Sequence, residues 1–127
     1  MRSIVLLFSM FLTTIAFCQK QNSYPLVHVE QLSKAPADTI RLKAYVLDVY
    51  TCPPCPPGMI CKPCTGNHVT IAEEKPKDMM KISSDKRIRI FTENPKGLTP
   101  GKRYVFTLRF KNKKASPVDN LELISFR

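Results

Sequence analysis

Four of the five cysteines lie in one stretch, Cys52 to Cys64, written CPPCPPGMICKPC, and this spacing admits three chemistries. Cys52-Pro53-Pro54-Cys55 has the two-residue spacing of a thiol redox pair. A thioredoxin-type nucleophile owes its reactivity to a helix N-terminus within a βα unit. Here Pro56, Pro57 and Gly58 follow Cys55 and cannot carry a helix forward. Two CxxC pairs also suggest a zinc knuckle, in which backbone N–H groups near the second Cys support the thiolates. Cys61-Lys62-Pro63-Cys64-Thr65-Gly66 passes this test. The first pair fails it, because the prolines around Cys55 have no N–H. A soft ion such as copper remains compatible with Cys52, Cys55, Cys61 and Cys64, with Met59 as a further ligand. Two disulfides are the preferred reading, since an even set of cysteines in a small exported chain ordinarily oxidises. Of three connectivities, the nested one, Cys52–Cys64 with Cys55–Cys61, suits a turn at Pro57-Gly58-Met59. No resident cofactor is then expected, zinc or copper being the alternative.

The fifth cysteine bears on compartment. Met1-Arg2, the mostly apolar run from Ile4 to Phe17 and the ending Ala16-Phe17-Cys18 read as a signal peptide over residues 1–18. Phe17 stands where a lipobox carries a small residue, so plain cleavage is preferred to lipidation of Cys18. Residues 19–25 read as a flexible lead-in and 26–127 as one domain, exported to a periplasmic, secreted or envelope-attached location. Attachment to a membrane is expected only through a lipidated Cys18.

Lys and Arg number 20 against 10 Asp and Glu, a formal charge of +10. Such a chain attracts polyanions. Export makes intracellular nucleic acid the least accessible of these, which leaves a protein or an anionic polysaccharide or surface as the expected partner. No Ser, His, Asp arrangement and no distinguished carboxylate pair can be assigned, so an enzyme is not expected. His28 has no partner near it in sequence, and His68 reads as a solvated side chain beside a turn.

The elements that must hold the cysteine stretch are strands. Ile40, Leu42, Ala44 and Val46 alternate with Arg41, Lys43 and Tyr45, and the apolar phase then changes between Leu47 and Val49, as either a β-bulge or a strand end buried on both faces would produce. After the turn Thr65-Gly66-Asn67, Val69 and Ile71 resume the alternation, so the cysteines lie in the connection of the first hairpin. Ile88 and Ile90 mark a short strand, Tyr104 to Phe110 a strong one, and Leu121 to Phe126 the last. Leu26 to Leu32 fits a short strand better than a helical turn, and Asp78 to Ile82 fits one helical turn at most.

Five to six strands with unequal connections predict an all-β fold, a small antiparallel barrel with a cysteine- and proline-rich loop in its first hairpin. The long bent strand, the elaborated first connection and the late strand led by GLTPGKRYVFTLRF resemble the OB-fold in layout. That resemblance implies a binding scaffold without catalytic machinery. The outward positions Arg41, Lys43, Arg87, Arg89, Arg103 and Arg109, with Tyr45 and Phe91 between them, form a possible binding face. A solvated sheet surface accounts for the same pattern.

Overall fold

The computed structural model describes residues 23–77 and 81–127. The expected leader, Cys18 and residues 19–22 of the lead-in lie outside the described residues. So do Asp78, Met79 and Met80 of the expected helical turn.

Among the described residues six strands are formed: β1 (Leu26–Val27), β2 (Thr39–Tyr50), β3 (His68–Ala72), β4 (Ile88–Phe91), β5 (Arg103–Phe110) and β6 (Leu121–Phe126). Their order is β1-β2-β3-β4-β6-β5, and β5 returns to pair with β2, so β2 to β6 close a five-stranded barrel with β1 as an extra strand. Most neighbours are antiparallel. The exceptions are β4 with β6 and β1 with β2, which run parallel.

Closure depends on β2 serving two partners. Its first part, Thr39 to Tyr45, pairs with β5, and its last part, Tyr45 to Tyr50, pairs with β3. The ladder to β3 is irregular between Val46 and Asp48, which makes Leu47 the extra residue of a bulge. Before it Ile40, Leu42, Ala44 and Val46 are buried; after it Val49 packs on the core while Asp48 and Tyr50 face out. Leu47 itself is buried with Ala72 and Ile82 in a small second cluster. The bulge therefore does what the phase change in the sequence requires: it keeps Asp48 in water and bends the strand around the barrel.

The core is filled by period-two residues from every strand, among them Ile71, Ile90, Phe106, Leu108 and Leu121, each fully buried. Each large aliphatic side chain so buried is worth about 1.5–3 kcal/mol relative to exposure. The segment after β1 combines both forms the sequence allowed. Leu26–Val27 is a strand, and Val29–Lys34 follows as a 3-10 helix that places Leu32 against the core. Glu73 at the end of β3 holds this segment: its carboxylate accepts from the Val29 amide at 3.1 Å and meets the His28 ring Nδ1 at 2.8 Å. His28 thus has a partner, 45 residues away in sequence.

Candidate functional site

The first hairpin connection is a projection braced from within. Cys52 pairs with Cys64 and Cys55 with Cys61, the nested connectivity. The four sulfurs are consequently not thiolates, and a zinc or copper set built on them with Met59 would require the reduced chain. Among the described residues no other group of three His, Cys, Asp or Glu gathers at metal-ligating distance. At the tip the Met59 amide donates to the Pro56 carbonyl at 3.3 Å, and Gly58 has φ +80°. Pro at the second position and a positive-φ Gly at the third are what a type II turn asks for.

The base of the loop is fastened by Asn67. Its Oδ1 accepts from the Cys52 amide at 2.7 Å, its Nδ2 donates to the Glu93 carbonyl at 3.0 Å, and its own carbonyl accepts from the Thr92 amide at 3.1 Å. The Tyr50 hydroxyl lies 3.7 Å from Cys64 Sγ, and a disulfide sulfur can only accept. Strands β2 and β4 and the first disulfide are thereby joined at one point.

Beside this base, outward side chains of neighbouring strands line up along the ladder. Tyr50 is opposite His68, His68 is opposite Phe91, Phe91 is opposite Glu122 and Glu122 is opposite Arg109. Tyr50 and His68 are stacked with ring centroids 4.8 Å apart, and His68 is tilted against Phe91 at 6.0 Å. The His68 Nδ1 sits 2.9 Å from the Gly66 carbonyl, which can only accept. Nδ1 therefore carries a proton, and in the neutral ring Nε2 is the free acceptor. Gly66, at φ +98°, brings the loop against Phe91; a Cβ there would meet the ring at 3.7 Å.

Lys111 completes the row from the other side. Its ammonium lies 4.6 Å from the centroid of the Phe91 ring. What places it there is Asn120, which is buried and ties the loop between β5 and β6: it accepts from the Asn112 amide at 2.7 Å and donates to the Asn112 carbonyl, while its own carbonyl accepts from the Lys111 amide at 2.9 Å. A groove of about 520 Å³ lies between the base of the cysteine loop and Lys111, lined among others by Asn67, Phe91, Glu93 and Glu122. The Glu122 carboxyl is held below its ordinary value of 4.5, chiefly by the hydrogen bond from Arg109 at 2.8 Å.

The expected basic face is distributed differently. Arg41, Lys43, Tyr45 and Arg103 do come together on β2 and β5, with the Arg103 guanidinium 5.3 Å from the Tyr45 ring centroid. Arg41 donates to the Tyr24 carbonyl at 2.8 Å. Arg87 and Arg89 belong to the region of β4, two strands away around the barrel in either direction, and Arg89 is 3.4 Å from Asp119. Arg109 is paired with Glu122. Only Phe91 and Arg109 of the expected face join the aromatic row. Tyr50, His68 and Lys111 are additions to it; the signal for them is that Tyr50 ends β2, His68 begins β3 and Lys111 follows β5, each on the outward phase.

No family model, no curated protein and no solved structure matches this chain.

Proposed function

We propose that this chain is an exported, non-catalytic binding module of OB type, and that it recognises an anionic polysaccharide beside the groove between the cysteine loop and the β5–β6 connection, with the anionic groups at Lys111 and turned away from Glu93 and Glu122. The barrel order β2-β3-β4-β6-β5 closing on β2, with β4 and β6 parallel, supports the OB resemblance. In barrels of that type the second and third strands, here β3 and β4, and the loops beside them are the usual ligand face. Two disulfides suit an oxidising compartment, which supports export.

The observation that carries the reading is Phe91 in the groove beneath Lys111, continued outside the groove by His68 and Tyr50. The sides of these rings not taken up by one another offer apolar area for sugar rings, and Lys111 supplies a cation for sulfate or carboxylate groups; Lys113 is held by Asp38 at 3.0 Å. Rigid supports on both sides lower the ordering cost of binding.

Titration of a heparin-derived oligosaccharide, followed by calorimetry at fixed salt, tests this. Phe91→Ala and Lys111→Ala should each weaken binding about tenfold, as the loss of one stacked or charge-assisted contact does. Lys96→Ala, which removes one exposed charge from the β4–β5 connection, should change it little. Equal losses in Lys96→Ala and Lys111→Ala, with none in Phe91→Ala, would reduce the interaction to general charge attraction and defeat the proposal.

A further inference from the structure

The tip of the cysteine loop carries a second surface that the groove does not use. Ile60 is fully exposed, at 104% of its reference area, and Met59 is 65% exposed. Neither side chain contributes to the core. Both sit on a turn enclosed by the Cys55–Cys61 bridge, so they are presented apart from the barrel and in a fixed shape.

The composition around them is unusual for a solvated loop. From Cys52 to Cys64 the one charged residue is Lys62, and five prolines have no backbone N–H. From Pro53 to Cys61 no side chain offers a hydrogen bond of ordinary strength. Moving this tip out of water therefore strips few donors, and its rigidity means that little conformational entropy is lost. A protein pocket is ordinarily recognised through a few convergent polar groups besides apolar area. The side chains of the tip have none to give, and what remains is backbone, chiefly proline carbonyls that a hydrated head-group boundary leaves solvated. A lipid surface requires only apolar area for the acyl boundary and positive charge for the head groups.

We propose that Met59 and Ile60 insert into the head-group boundary of an anionic lipid bilayer, with Lys62 remaining at the level of the phosphates and the charge of residues 19–127, +9 from 19 Lys and Arg against 10 Asp and Glu, drawing it to the surface. The two insertions are worth about a tenfold gain in partitioning even where burial is partial. This surface stands independently of the polysaccharide groove, being formed by different residues.

The chain has no Trp, so Ile60→Trp supplies a single reporter. A chain beginning at Gln19, which contains every strand of the barrel, is mixed with phosphatidylcholine vesicles with or without phosphatidylglycerol. The expected result is a blue shift of the tryptophan emission and quenching by brominated acyl chains with the phosphatidylglycerol vesicles alone. The Met59→Ser, Ile60→Ser double variant should co-sediment with those vesicles about tenfold less than the unaltered chain. Circular dichroism checks that both variants keep the barrel. Unshifted emission overturns the proposal. Undiminished sedimentation of the double variant also overturns it, because binding would then be charge attraction alone. An equal shift with both vesicle types overturns the anionic requirement.

Discussion

The amide of Cys52 donates to Oδ1 of Asn67 at 2.7 Å, joining positions 15 residues apart at the foot of the cysteine loop. The same Asn67 side chain donates to the carbonyl of Glu93, two residues beyond the end of β4, so one residue ties the foot of the projection to two segments of the barrel.

Asn67→Ala should lower stability by about 1–3 kcal/mol, because the half-buried Cys52 amide loses its acceptor and the Glu93 carbonyl its donor. Asn67→Asp keeps the acceptor and loses only the donor, and should cost less. Urea midpoints at constant m-value measure both. Amide exchange at Cys52 should accelerate in the Ala variant and stay protected in the Asp variant. Equal destabilisation by the two would mean that the donor side alone matters.

The disulfides hold the loop and not the core. Cys55→Ser with Cys61→Ser opens a loop whose ends are six residues apart, for which chain entropy assigns about 2–3 kcal/mol as an upper value. The strands β2 and β3 already close this connection, so the far-UV spectrum should be unchanged and the change in urea midpoint at or below that size. Intact mass should show the unaltered oxidised chain four hydrogens lighter than its reduced form, two for each bridge. Four alkylatable thiols binding stoichiometric zinc or copper would instead establish the reduced, metal-holding alternative.

Much of this arrangement is legible in the residue pattern, for a local reason. Period-two alternation at Ile40 to Val46, Val69 to Ile71 and Ile88 to Ile90 marks each inward face without knowledge of its partner. The phase change at Leu47 allows either a bulge or burial on both faces, and the ladder to β3 decides for the bulge; Pro57-Gly58 suits the nested bridges by where it turns the chain. The aromatic row is a different matter. Tyr50, His68 and Phe91 come from three strands, and their alignment depends on cross-strand register, which local periodicity does not contain. Lys111 is further from view. It looks like one member of a basic run, and only the folded loop around Asn120 sets it over Phe91. The assumption that Arg41 and Arg89 share a face is lost for the same reason, since a closed barrel turns strands two apart away from each other.

The Arg109–Glu122 pair gives the groove wall a pH dependence of definite sign. Arg109 lowers the Glu122 carboxyl below 4.5, the value expected when the chain unfolds. Its contribution to stability is complete above that value and is lost as pH falls through the lower folded value. Both side chains are well exposed, so solvent screens the pair and the contribution is at most about 1 kcal/mol. In Arg109→Gln the Glu122 carboxyl should titrate closer to 4.5, which carboxyl-detected NMR measures directly. An unmoved titration would show that Arg109 is not the cause.

Leu47 carries the last consequence of the fold, because two separate effects meet there. Its side chain is buried with Ala72 and Ile82, and its extra place in the strand bends β2 between its two partners. Leu47→Ala removes the first effect alone and should cost about 2–5 kcal/mol, with both ladders intact. Deleting Leu47 removes the second as well. The outward and inward phases on either side still agree, since Val46 would be followed by Asp48 outward and Val49 inward, so either ladder can still form by itself. A straight strand cannot turn from β5 to β3, however, and one of the two pairings must yield. The deletion should therefore strip exchange protection from either the β2–β5 or the β2–β3 amides while the other set stays slow. If both sets remain protected, bending is supplied elsewhere in β2; uniform loss in Leu47→Ala would show that packing at this residue, and not the additional place it occupies, closes the barrel.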